Sequence, residues 1–140
     1  MNPIDAEVAI TLPLFTERVS CGFPSPAADY IDEAIDLVKS LISHPSATYV
    51  LRVSGDSMRD AAIVADSMLL VDASLQAGDG DIVVARLSSG FTVKRLRLHP
   101  KPHLMPENPA YAPIPIHEND DVQILGVVTT VITRPQRHLP

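Results

Sequence analysis

Two short segments carry side chains whose types and settings suit covalent chemistry. The first is Val53-Ser54-Gly55-Asp56-Ser57-Met58. A run rich in β-branched and aromatic residues ends there, Gly55 permits a tight turn, and Asp56 is placed to cap a short helix starting near Ser57. Backbone N–H groups at a helix start have no intrahelical partner, and such donors suit a developing oxyanion. Gly55, Asp56 and Met58 would then support the turn that presents Ser57. A serine hydroxyl needs a base before it becomes a nucleophile. The five histidines, His44, His99, His103, His117 and His138, lie mostly beside prolines or near loops, and no Asp–His pairing for a Ser-His-Asp triad is evident.

The second segment is Phe91-Thr92-Val93-Lys94-Arg95-Leu96, a lysine inside an otherwise largely apolar and β-branched stretch. Period two puts Thr92, Lys94 and Leu96 on one face of a strand, with Phe91, Val93 and Arg95 on the other. If the Lys94 face is packed, desolvation disfavours the ammonium and lowers the lysine pKa toward neutrality. A neutral amine can take a serine proton, and a Ser–Lys pair is a known variant of triad logic. Neither residue identifies a site alone. Gly-Asp-Ser turns are common, strand lysines usually reach solvent, and Ser54 and Ser67 are further candidate hydroxyls.

Positioning a serine on a turn against a lysine on a strand calls for a sheet, and the chain supplies one. Segments 48–53, 68–72, 81–87, 91–98, 103–105, 114–116 and 122–133 read as strands, with Ser88-Ser89-Gly90 as a hairpin turn. Six prolines from Pro100 to Pro115 divide that region. Upstream, Ile31, Ile35, Val38, Leu41 and Ile42 fall at helical spacing, with Ser25 and Pro26 as cap and first residue and His44-Pro45 as the stop. Before that, Val8, Ile10, Leu12 and Leu14 alternate with Ala9, Thr11 and Pro13, a pattern for an extended arm or edge strand. The cluster Gly22-Phe23-Pro24-Ser25-Pro26 interrupts any regular element and reads as a hinge. The expected architecture is mostly β, of short strands with one or two short helices on the N-terminal side. The expected organisation is an arm, 1–21, and a body, 22–140.

Composition narrows the function. The 140 residues suit a single domain, and 46% hydrophobic with 20% charged residues is a globular balance. Eleven basic against 17 acidic residues give a net charge of −6, with no basic run for duplex DNA or a membrane surface. No apolar stretch is long enough to span a bilayer, and the N-terminus lacks the features of a secretory signal. The single cysteine, Cys21, excludes an internal disulfide framework and suits a reducing compartment. A cytoplasmic protein is expected. Neither a metal nor another cofactor is called for: only His99 and His103 are four apart, and Pro100 and Pro102 between them disfavour the helix that would align their rings.

The blocks Gly22-Phe23-Pro24-Ser25-Pro26-Ala27-Ala28-Asp29-Tyr30, His44-Pro45-Ser46-Ala47-Thr48-Tyr49, Ser54-Gly55-Asp56-Ser57-Met58 and Phe91-Thr92-Val93-Lys94-Arg95-Leu96 closely resemble UmuD-type proteins. These are the SOS-mutagenesis relatives of the LexA repressor, within the superfamily of Ser–Lys self-cleaving peptidases. The resemblance runs from about Phe15 to Val131. The first two blocks mark the UmuD branch, whereas the Ser-Gly-Asp-Ser-Met block also suits LexA and signal peptidases.

The resemblance implies the LexA-like catalytic fold, Ser57 as nucleophile, Lys94 as general base and Cys21–Gly22 as the scissile bond. It implies self-cleavage stimulated by the RecA filament on single-stranded DNA. The trimmed product would form a homodimer and join a UmuC-type subunit in an error-prone translesion polymerase. An arm on the same chain presents its bond at high effective concentration, and Gly22 lets the backbone come close. The sequence also departs from the pattern: Ala61-Ala62 and Asp66-Ser67 stand where relatives usually carry a glycine-containing turn and then Gly-Asp. That departure leaves open an alternative, a subunit that keeps the fold, regulates a translesion polymerase and cleaves poorly. A LexA-like repressor is disfavoured because only about 20 residues precede Gly22, too few for a helix-turn-helix. A signal peptidase is disfavoured by the lack of a membrane anchor.

Overall fold

The computed structural model of the protein describes residues 10–15, 18 and 31–135. Cys21, Gly22, the hinge cluster, Ser25 and Pro26 lie outside the described residues. The chain divides into two compact units, Met1–Ser43 and His44–Pro140.

In the first unit, strand β1 (Thr11–Phe15) pairs antiparallel with β2 (Ile31–Asp36). Pro13 sits opposite Ala34 in this two-stranded ribbon, in which both strands are edges, the setting that tolerates proline. The helix expected from Pro26 to His44 is corrected over its described part: there Leu37–Leu41 (α1) alone is α-helical, and Ile31–Asp36 is strand. The reason is packing. A short helix is marginal unless its apolar face is covered, and no residue of α1 is buried, Val38 being 66% exposed. The backbone of β1 offers the preceding residues ladder partners instead. The helix cap is Asp36, whose carboxylate accepts the Lys39 N–H at 3.1 Å.

The second unit is a seven-stranded sheet in which every pairing is antiparallel. Its strands are β3 (Thr48–Arg52), β4 (Met68–Asp72), β5 (Ile82–Leu87), β6 (Gly90–Arg97), β7 (His103–Met105), β8 (Ile114–Pro115) and β9 (Gln123–Ile132), in the order β3-β4-β9-β5-β6-β7-β8. The expected mostly-β architecture holds, as do the individual strand expectations to within a residue or two at each end. A 3₁₀ turn at Pro45–Ala47 leads into β3.

Alternation along β5 divides its apolar side chains. Val84 joins Met58, Ile63, Leu69 and Val71 in one cluster, while its neighbours Val83 and Ala85 join Leu96, Leu104 and Val127 in another. Gly126 on β9 is required by close approach: a Cβ there would lie 2.6 Å from the buried Val71 Cγ1 and 3.2 Å from the Asp72 carbonyl oxygen.

Candidate active site

Strands β3 and β4 deliver the serine turn. Beyond Arg52 the ladder continues as Val53 N–H to Ser67 O (2.9 Å) and Asp66 N–H to Val53 O (2.8 Å), so residues 54–65 form a closed excursion from the sheet. Gly55 makes the turn at φ +83, a left-handed conformation that glycine adopts without penalty. Met58, 3% exposed, inserts into the core and anchors the turn one residue beyond Ser57. The expected helix at Ser57 is corrected to a 3₁₀ turn, Arg59–Ala61, and Asp56 does not cap it. Asp56 instead accepts the Tyr111 hydroxyl at 2.5 Å, a partner 55 residues away. Among the described residues, the N–H groups of Gly55, Asp56, Ser57 and Met58 donate to no acceptor.

Strand β6 delivers the lysine. In the β5–β6 ladder Lys94 stands opposite Val83 and Thr92 opposite Ala85, and both partners are fully buried. The Lys94 side chain therefore lies in the packed layer, 7% exposed. Burial pushes its pKa below the ordinary lysine value. Its Nζ is 2.9 Å from Ser57 Oγ, 2.5 Å from Thr92 Oγ1 and 3.2 Å from the Val93 carbonyl oxygen. A neutral amine has two N–H donors and one lone pair. Nζ is the donor in all three contacts; on losing a proton, the amine can keep Thr92 Oγ1 and Val93 O as acceptors and turn its lone pair to the Ser57 hydroxyl. The structure thus brings Ser57, Lys94 and Thr92 together.

An apolar cleft of about 650 Å³ opens beside this group. Tyr49 and Leu51 line it from β3, Val53 from just beyond that strand, Phe91 and Val93 from β6, and Met58 from the turn. Ser54 also lines the cleft, but the amine's serine contact is with Ser57. Ser67 is buried and bonded to Thr133 Oγ1 at 2.7 Å. The candidates are thereby separated by geometry that spacing alone left open.

The two departures from the family pattern have a structural reading. Ala62 (φ 62) and Asp66 (φ 70) both adopt the left-handed conformation in which glycine is the unstrained residue. A non-glycine residue holds each of these conformations at a cost. Period two places Thr92 beside Lys94 in the sequence, and the structure shows it as an acceptor for the amine. Tyr111 and the rest of loop 106–111 gave no local signal. Among the described residues no group of three or more His, Cys, Asp or Glu can hold a metal ion, and no helix is long and apolar enough to cross a membrane.

Comparison with known proteins places these features in context. The family model of Peptidase S24-like proteins matches residues 13–129. Protein SamA of Salmonella typhimurium is 45% identical over 130 residues, 93% of this chain and 91% of that protein. Protein MucA of Escherichia coli is 49% identical over 122 residues, 85% of this chain and 82% of that protein. The LexA repressor of Bordetella avium is 37% identical over 138 residues, covering 98% of this chain and 64% of the repressor.

Proposed function

The chain belongs to the Peptidase S24-like family, and we propose that it is a self-cleaving serine peptidase in which Lys94 is the general base and Ser57 the nucleophile. One observation carries the reading: a buried amine, its pKa lowered by burial, 2.9 Å from a serine oxygen on a turn whose N–H groups have no acceptor among the described residues.

The chemistry follows from those groups. Neutral Lys94 accepts the Ser57 proton as Oγ attacks the carbonyl carbon of Cys21. Free turn N–H groups hold the negative oxygen that forms. The Cys21–Gly22 bond breaks as the Lys94 ammonium returns its proton to the Gly22 nitrogen, leaving Cys21 esterified to Ser57. Water, deprotonated by the same amine, hydrolyses that ester and frees the serine. The apolar cleft suits an extended segment with small side chains, which Cys21 and Gly22 supply. The arm, 1–21, is thereby released from the body, 22–140.

The UmuD-type relatives support the biological setting. In it, cleavage is stimulated by RecA on single-stranded DNA, and the trimmed homodimer serves a UmuC-type translesion polymerase subunit. The alternative of a cleavage-impaired subunit rests on the Ala61-Ala62 and Asp66-Ser67 departures. The Lys94–Ser57 contact at 2.9 Å supports the cleaving form.

The test is mass spectrometry of purified protein during alkaline incubation. The expected product begins at Gly22, accumulates faster as pH rises, and forms at a rate independent of protein concentration. Ser57→Ala and Lys94→Ala should each abolish it. Intact wild-type protein after long incubation with and without activated RecA would overturn the reading in favour of the non-cleaving subunit.

A further inference from the structure

Loop 106–111, between β7 and β8, is tied to the serine turn at four points. Asn108 Nδ2 donates to the Asp56 carbonyl at 2.9 Å, and the Tyr111 hydroxyl donates to Asp56 Oδ1 at 2.5 Å. Glu107 N–H donates to the Ser57 carbonyl at 2.9 Å, and Asp60 N–H to the Glu107 carbonyl at 2.8 Å. The loop is itself held beside the lysine strand, where Arg95 Nε donates to Glu107 Oε1 at 2.5 Å.

Asn108 is 4% exposed, and a buried amide is costly unless both ends are paired. Both are: Oδ1 accepts the Ala110 N–H at 3.0 Å, which requires Nδ2 to be the group facing Asp56. In a trans peptide the C=O and the following N–H point in opposite directions. Anchoring the Asp56 carbonyl on Asn108 therefore sets the direction of the Ser57 N–H, which has no acceptor among the described residues. The Glu107 bond to the Ser57 carbonyl holds the next peptide in the same way.

We propose that Asn108 and Tyr111 are positioning residues, which set the Asp56–Ser57 peptide plane and so aim the Ser57 amide and hydroxyl at the bond to be cleaved. The inference rests on the peptidase reading above and adds to it the device that preorganises its turn. Neither residue touches Lys94, whose amine is bonded to Ser57, Thr92 and Val93. The brace thus acts on the geometry of the nucleophile and the oxyanion donors, and leaves the base to β6. The bond to the Asp56 carboxylate raises the Tyr111 pKa above that of a free phenol.

The experiment follows self-cleavage of the full chain against pH, comparing wild type with Asn108→Asp and Tyr111→Phe. Asn108→Asp keeps the shape and the Ala110 bond but replaces the donor with an acceptor facing a carbonyl. Its plateau rate should fall roughly tenfold to a hundredfold, the scale for a lost oxyanion-side donor; the midpoint is read from Tyr111→Phe, which adds no charge. Tyr111→Phe should be roughly threefold slower, with the midpoint unmoved. Tyr111 is 45% exposed, so this variant reports even where Asn108→Asp does not fold. Wild-type rates in the folded variants would overturn the proposal. So would an upward shift of the midpoint at an unchanged plateau, since the brace would then be acting through hydration of Lys94. A wild type that releases no fragment would instead remove the peptidase reading and this inference with it.

Discussion

Thr92 Oγ1 and Lys94 Nζ, two residues apart on one strand face, lie 2.5 Å from each other. The pleat of β6 makes this pairing automatic, since alternate side chains share a face. It fixes the amine: one N–H goes to Thr92, one to the Val93 carbonyl, and the remaining position turns to Ser57. Thr92→Val keeps the branched shape and removes the acceptor. The expected outcome is self-cleavage slowed roughly tenfold, the equivalent of about 1.4 kcal/mol or one hydrogen bond. Rates of Gly22 fragment release by the two proteins check it.

The buried amine carries a stability cost with a definite sign. Lys94 has a folded-state pKa below its ordinary value because burial penalises the ammonium. The folded protein therefore binds this proton less tightly than the unfolded chain. The penalty is complete below the folded pKa and disappears as pH rises through it toward the unfolded lysine value near 10.4. Lys94→Met, apolar and similar in length, should raise the melting temperature at neutral pH. The gain should shrink toward alkaline pH, as read by thermal denaturation at several pH values. A gain that did not change with pH would show that the lysine is not destabilised by burial.

Ala62 occupies a left-handed turn that glycine would fill without strain. Relief of the side-chain clash is worth roughly 1–2 kcal/mol, offset by roughly 0.5–1 kcal/mol of extra glycine chain entropy. Ala62→Gly should therefore stabilise the protein by up to about 1.5 kcal/mol, detected as a higher midpoint in urea. Asp66 needs less relief, because its short polar side chain tolerates the same conformation better.

The boundary between what was legible and what was not follows range. The apolar run Met68–Asp72, the Ser88-Ser89-Gly90 turn and the lysine within a β-branched stretch are local patterns, and each became the element it suggested. Residues 31–42 satisfied helical spacing, yet spacing cannot show whether any surface covers the resulting face. With α1 left unburied, the strand pairing to β1 took the first half of the segment. Asp56 had the residue type of a cap, but the phenol of Tyr111 claimed its carboxylate. That contact and the Asn108 bond join positions more than fifty residues apart, where no periodicity reaches.

Gly126 marks where β9 crowds β4. An added methyl would lie 2.6 Å from Val71 Cγ1, a fully buried and β-branched side chain with little room to move. The next nearest atom, the Asp72 carbonyl oxygen, belongs to the ladder. Gly126→Ala should destabilise the protein by about 1–3 kcal/mol, the scale of core overpacking. Denaturant titration would show it, and an unchanged midpoint would mean that the two strands part without cost.

The last prediction concerns acid stability and rests on Asp72 at the end of β4. Its buried carboxylate accepts the Ser74 hydroxyl at 2.6 Å and the Ser74 N–H at 2.9 Å on one oxygen, and faces His44 Nδ1 at 2.6 Å with the other. The Ser74 hydroxyl first, and His44 next, lower its pKa from an ordinary 3.8 to about 2. A carboxyl depressed on folding contributes stability that is fully present above its unfolded pKa. That stability is lost as pH falls through the folded value. Asp72→Asn should thus melt below wild type by a steady margin from pH 7 down to about 5, and the margin should close between about pH 4 and 2. Melting curves of both proteins across that range test it. A margin that persisted at pH 2 would assign the loss to shape rather than to charge.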